Sequence, residues 1–191
     1  MKKRFALFLI TSLAFAPVKA QDIKFGAKAG VNLATLQPDL PDPANKTGFH
    51  LGGMAEIPLM DMLSLQPELL YSAQGVKDES DDDEVVRLNY LTVPVLAKYY
   101  VIDGLSIEAG PQFGFLLTAE FEDNGETDDI KDNTKSVDVG LAIGAGYKLE
   151  NGLNFCLRYY LGSDINDIGE DPEKFKNRVF QISVGYFFNV L

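Results

Sequence analysis

Along eight segments of this chain every second residue falls on a face that holds no charge. A period of two is the period of a β-strand, whose side chains point alternately to opposite sides. The segments run from Ile23 to Leu33, Phe49 to Ile57, Leu63 to Tyr71, Leu91 to Tyr99, Leu105 to Leu117, Val137 to Leu149, Leu153 to Leu161 and Phe180 to Phe188. On the uncharged face only Gly53, Pro67 and Pro111 are not hydrophobic. The opposite face is polar, and it carries Gly26, Gly30, Gly52, Gly110, Gly114, Gly140, Gly144, Gly146 and Gly185. A soluble barrel or sandwich turns its apolar face inward, whereas a membrane barrel turns it toward lipid and fills its lumen with the polar one. The glycines decide between the two. Glycine weakens a strand unless the space beside it is tight, and the inside of a narrow barrel is tight. The expected fold is therefore all-β: a closed, eight-stranded, antiparallel up-and-down transmembrane β-barrel.

The dimensions agree. Five apolar positions at every second residue span about 30 Å of strand. With the strands tilted near 40°, the apolar band is roughly 23 Å tall, close to that of outer-membrane barrels. No apolar run after residue 20 is long enough for a transmembrane helix, so a membrane location requires strands.

The start of the chain reads as an export signal. Lys2, Lys3 and Arg4 form a basic region, Phe5 to Ala16 an apolar stretch too short to span a bilayer, and Val18-Lys19-Ala20 a small-residue cleavage site. Residues 1–20 are expected to be a signal peptide cut between Ala20 and Gln21, and residues 21–191 a single barrel domain. No cysteine follows the site to carry a lipid anchor, and Cys156, the one cysteine, has no partner within the chain. Four of the 17 basic residues lie in the signal, so the mature chain is more acidic than the −11 of the whole sequence. That balance excludes nucleic-acid binding through a basic patch.

Connections alternate in length. Leu36 to Thr47, Val76 to Val85, Glu120 to Ser136 and Gly162 to Asn177 are long. Pro58 to Met62, Ile102-Asp103-Gly104 and Glu150-Asn151-Gly152 are short, and Asp-Gly and Asn-Gly suit tight hairpin turns. Long loops outside and short turns at the periplasm is the outer-membrane arrangement. Phe25, Tyr99, Tyr147, Phe155, Tyr186 and Phe188 share the outward parity near the periplasmic ends, where they would form an interfacial girdle.

Three stretches carry a resemblance: Lys28 to Leu33, the run Leu88-Asn89-Tyr90-Leu91-Thr92-Val93-Pro94-Val95-Leu96-Ala97-Lys98-Tyr99-Tyr100, and Asp138 to Tyr147. In order and spacing they resemble the small porin-like outer-membrane β-barrel family, over essentially the whole mature chain. The resemblance implies a barrel similar in shape to OmpX or the OmpA membrane domain, in a family whose members generally lack an assigned activity. Such barrels often end on an aromatic residue read by the barrel assembly machinery. Here Phe188 is followed by Asn189, Val190 and Leu191, so Phe188 or Tyr186 would have to serve.

On the inward parity Lys24, Lys28, Lys98, Lys148 and Arg158 face Glu56, Glu68, Glu108 and Asp138. Buried charges persist when they are paired and hydrogen-bonded. Lys28, Glu56, Glu68, Lys98, Glu108, Asp138 and Arg158 are expected to form one lumen network that packs the barrel. The expected role is structural or surface-interacting, with no enzyme activity, no cofactor and no metal site. The alternatives are a narrow channel for small solutes or ions, and a lipid-modifying enzyme. The enzyme reading would rest on His50, which stands with no nearby Ser-bearing motif. The acidic runs Asp78 to Glu84 and Asp123 to Asp129 supply oxygen ligands for divalent cations but lack EF-hand spacing, and read as solvated loops. The expected partners are outer-membrane lipid and lipopolysaccharide, the assembly machinery and an unidentified extracellular ligand of the loops, for a chain that is a monomer.

Overall fold

The computed structural model describes residues 23–37, 43–78, 85–123, 125–164 and 176–188. The signal segment with its Ala20–Gln21 junction, most of the acidic run Asp78 to Glu84, and the residues after Phe188 lie outside the described residues.

Nine strands are formed: β1 (Lys24–Gln37), β2 (Pro43–Met60), β3 (Leu63–Asp78), β4 (Val85–Tyr100), β5 (Leu105–Asp123), β6 (Glu126–Asp129), β7 (Val137–Lys148), β8 (Leu153–Asp164) and β9 (Lys176–Phe187). Eight of them close a barrel in the order β4-β3-β2-β1-β9-β8-β7-β5, with β5 paired back onto β4. Each pairing is antiparallel. The first and last strands seal the cylinder, with Ala29 opposite Val184 and Val31 opposite Ile182. Full closure leaves no barrel edge with unpaired backbone groups, which the inside of a bilayer requires.

Alternation decides the faces. In β7 Val137, Val139, Leu141 and Ile143 are exposed outside, while Asp138 and Ala142 are buried inside. Phe25, Tyr99, Tyr147, Phe155, Tyr186 and Phe188 are exposed together at the end that carries the short turns, the end expected at the periplasm. Tyr186 and Phe188 lie edge to face, 5.9 Å between centroids. Two glycines make the short turns possible: Gly104 (φ +81°) and Gly152 (φ +90°) occupy the left-handed region that the Asp-Gly and Asn-Gly turns demand.

Two lumen glycines show why that face is glycine-rich. A methyl group on Gly110 would sit 2.1 Å from the Val95 carbonyl oxygen. One on Gly30 would sit 2.2 Å from the Ile182 carbonyl oxygen and 2.6 Å from the His50 ring. Strands and side chains close in to those distances because an eight-stranded cylinder leaves so little room.

The strands outrun their alternating segments at the outer end. β1 continues past Leu33 to Gln37, β2 begins at Pro43 rather than Phe49, β3 continues past Tyr71 to Asp78, and β4 begins at Val85 rather than Leu91. Backbone pairing goes on after the outward face has stopped being apolar. There Asn89 Nδ2 donates to Thr118 Oγ1 (2.8 Å) on the outer surface. The segment Glu120 to Ser136 is also more ordered than a solvated loop. β6 folds back on the end of β5, pairing Glu126 with Asp123, and a turn of 3-10 helix follows at Lys131–Asn133. An extra residue at Leu117 shifts the β4–β5 register, so that Ala119 rather than Thr118 points inward.

That arm places a cap on the lumen. Val76, Leu88, Tyr90, Leu116 and Ala119 pack together inside the outer end, with Val86 and Ile130 against them. Ile130 is held there by its own N–H donating to the Ala119 carbonyl (3.0 Å).

Candidate functional site: the charged lumen

The seven side chains expected to share the lumen are all buried: Lys28, Glu56, Glu68, Lys98, Glu108, Asp138 and Arg158. They come from seven different strands, so each interaction between them stitches the wall across the interior.

The central layer is built on Arg158. From β8 its guanidinium donates Nη1 to Glu68 Oε2 and Nη2 to Glu68 Oε1, each at 2.8 Å. The same side chain donates Nε to Glu108 Oε1 (2.8 Å), with Nη2 2.7 Å from that oxygen. Lys28 reaches Glu68 Oε1 from β1 (3.1 Å), and Gln66 Nε2 donates to the same oxygen (2.7 Å). Cys156 Sγ donates to Glu108 Oε1 (3.2 Å). Two cations thus meet two carboxylates, and the planar fork of Arg158 fixes the geometry.

A second layer lies toward the end that carries the short turns. Glu56 Oε1 accepts from Lys148 Nζ (2.6 Å) and both its oxygens lie 2.9 Å from the Tyr100 hydroxyl. Lys98 Nζ is 3.8 Å from Glu56 and donates to Gln66 Oε1 (3.1 Å), which links the two layers. Both ammonium groups also stand over the Tyr100 and Phe187 rings at 4.7 to 5.8 Å. Lys148, read as an inward charge but left out of the expected seven-membered network, belongs to this layer. Lys24, read as an inward charge, is exposed instead, because it stands where β1 emerges from the barrel.

Asp138 does not join the charges it was grouped with. Parity turns it inward, but register lifts it to the outer end, where Ser163 N (3.0 Å), Ser163 Oγ (3.1 Å) and Asn177 Nδ2 (3.2 Å) donate to it.

Between Asp138 and the Arg158 layer sits His50, and it is not isolated. Asn32 Nδ2 donates to Ser72 Oγ (3.0 Å) and to the Phe49 and Ala73 carbonyls, so Asn32 Oδ1 is an acceptor. His50 Nδ1–H therefore donates to Asn32 Oδ1 (2.8 Å). In the neutral ring Nε2 is then an acceptor, and it receives the Ser183 hydroxyl at 2.9 Å. Gln181 Nε2 also donates to Asn32 Oδ1 (3.0 Å). The geometry is a Ser-His-Asn relay, which local sequence could not reveal: Ser183 is 133 residues from His50. The signal that finds it is register, since both His50 and Ser183 pair with Gly30.

Among the described residues no cluster of three or more His, Cys, Asp or Glu could hold a metal ion.

A closed antiparallel barrel with an apolar outer band, an aromatic girdle and a charged, filled lumen is the architecture of a bacterial outer-membrane protein. The chain belongs to the outer membrane protein beta-barrel domain family, which it matches over residues 19–168. Among solved structures, Neisserial surface protein A superposes with a TM-score of 0.60 at 13% identity, over 86% of this chain and 97% of that one. Ail of Yersinia pestis, in complex with the heparin analogue sucrose octasulfate, gives 0.47 at 15% identity over 87% and 99%. The outer membrane enzyme PagL gives 0.48 at 12% identity over 84% and 98%. The first of these likenesses shows the fold alone, and the other two carry no argument. No curated protein matches the sequence.

Proposed function

We propose that this protein is a non-conducting, non-enzymatic outer-membrane barrel that holds acidic loops at the cell surface for structural or surface-interaction purposes. The filled lumen carries this reading. Ion pairs cross it in two layers, a hydrogen-bonded layer around His50 stands above them, and the apolar cap with Ile130 covers the outer end. A solute path would have to break every layer. The partners in this reading are lipid, lipopolysaccharide and an extracellular ligand of the loops, with the chain acting as a monomer. Insertion into a planar bilayer tests the closed lumen: the reading expects no porin-sized steps, and such steps would overturn it. Deleting Lys77 to Glu84 tests the loops. With the barrel still heat-modifiable in detergent gels, binding of expressing cells to host matrix should fall, and unchanged binding would remove the surface role.

The Ser183–His50–Asn32 relay favours a second reading, acyl hydrolysis with Ser183 as nucleophile. Burial weighs against it, because Ser183 is 5% exposed and lies beneath the cap. A fluorophosphonate probe separates the two readings: covalent labelling lost in Ser183→Ala would favour the hydrolase, and absence of labelling the structural relay.

A further inference from the structure

Of the lumen carboxylates, Glu56, Glu68 and Glu108 each have a cationic nitrogen within 4 Å. Asp138, which is 2% exposed, has neutral donors as its hydrogen-bond partners among the described residues. Arg178 comes near, but its Nη1 is used on the Gly162 carbonyl (2.9 Å) and the Asn177 carbonyl (3.4 Å). Among the described residues three side-chain oxygens near this carboxylate are buried from solvent without a hydrogen bond of good geometry: Tyr90 Oη, Asn177 Oδ1 and Tyr160 Oη, which is turned toward Asp138. Their residues are each 1% exposed.

The fold brings the four together. A methyl group on Gly162 would sit 2.7 Å from Asp138 Oδ2, 2.9 Å from the Tyr160 ring and 2.9 Å from the main-chain carbonyl of Asn177, so all three residues crowd over that glycine. Gly114 does the same from the other side, with the Tyr90 ring at 3.3 Å and Asp138 Cβ at 3.6 Å. A buried carboxylate with no ion-pair partner among the described residues and orphaned buried oxygens are each unfavourable, and they rarely gather in one place without a ligand.

We propose that the outer end of the lumen binds a single hard cation of the calcium type, held by the Asp138 carboxylate, the Tyr90 and Tyr160 hydroxyl oxygens and the Asn177 side-chain carbonyl. The donor set consists of oxygens alone, with no imidazole or thiolate, which selects alkaline-earth over transition metals. Its single negative charge repels anions. A water molecule could satisfy the hydroxyls but would bring no positive charge to the carboxylate. The site is distinct from the acidic loop runs, and it stands whether or not those loops bind a partner.

The chain contains eight tyrosines and no tryptophan, so terbium luminescence sensitised by tyrosine reads the site in the refolded, detergent-solubilised protein. Terbium should give a saturable signal at one equivalent that excess Ca²⁺ displaces. Tyr90→Phe with Tyr160→Phe should abolish the signal, as should Asp138→Asn. Neutralising the acidic residues between Asp78 and Glu84 should leave it intact. Asn177→Asp adds a charge to the site and should tighten Ca²⁺ competition, which keeps the test valid if Asp138→Asn does not fold. Absence of a sensitised signal, or a signal that survives both Asp138→Asn and the double tyrosine change, would overturn the proposal. So would loss of the signal when only the loop acids are neutralised.

Discussion

Arg158 of β8 grips Glu68 of β3 across the full width of the lumen through two parallel hydrogen bonds of 2.8 Å. Neither strand is the other's neighbour in the barrel, so the pair acts as an internal strut. Removing Arg158 leaves two buried carboxylates with one cation between them, which is the expensive way to break a buried ion-pair network. Arg158→Met is expected to destabilise the barrel by about 3–5 kcal/mol. Urea unfolding in detergent micelles, followed by the heat-modifiable gel shift, measures it.

Charge balance predicts a partial rescue. Arg158→Met strands Glu68 and Glu108 with Lys28 as the one cation left in that layer. Adding Glu108→Gln restores one cation against one carboxylate. The double variant should be more stable than Arg158→Met alone, a non-additivity expected of residues that share a network. Equal or lower stability would show that hydrogen bonding by Glu108, not its charge, is what counts.

Glycine spacing predicts a contrast on one face. At Gly110 a new methyl would lie 2.1 Å from a neighbouring strand's carbonyl oxygen, which cannot move without displacing the β4–β5 ladder. At Gly146 the nearest atoms are at 3.3 Å, and one of them is the Ser106 hydroxyl. Gly110→Ala should lose about 1–3 kcal/mol of stability from overpacking, and Gly146→Ala clearly less. Denaturation midpoints of the two variants decide it.

The outward band predicts sensitivity to charge by depth. Leu141 is 47% exposed near the middle of β7's apolar face. Leu141→Arg should destabilise the membrane-inserted barrel by roughly 2–4 kcal/mol. Asn89→Arg, on the polar outer surface above the band, should fall near zero. Refolding into lipid vesicles across a denaturant series reads both.

Much of this fold is legible as parity. Period two decides which residues face lipid and which face the lumen, and Asp103-Gly104 and Asn151-Gly152 mark two of the tight turns. Height along the barrel axis is not legible, because it depends on how neighbouring strands are staggered. Asp138 therefore looked equivalent to Glu108 on parity, yet register sets it near Asn177 and Ser163 instead of Arg158. The same ignorance of register hid Ser183 from His50. The outer strand extensions were invisible for a different reason: backbone pairing persists above the bilayer, where side-chain alternation is no longer enforced. The cap depends on Ile130, a single apolar residue in an acidic stretch whose inward fold rests on the extra residue at Leu117.

The central claim is the sidedness of the strands, and the absence of tryptophan makes it directly measurable. Single tryptophans at Ile143 and Val184, both exposed on the outer face, should be strongly quenched by lipids brominated in mid-chain once the protein is folded into vesicles. A tryptophan at Asn89, above the band, should be quenched little. Unquenched, blue-shifted emission from Ile143→Trp and Val184→Trp would mean that the apolar face packs against protein, and would contradict the account.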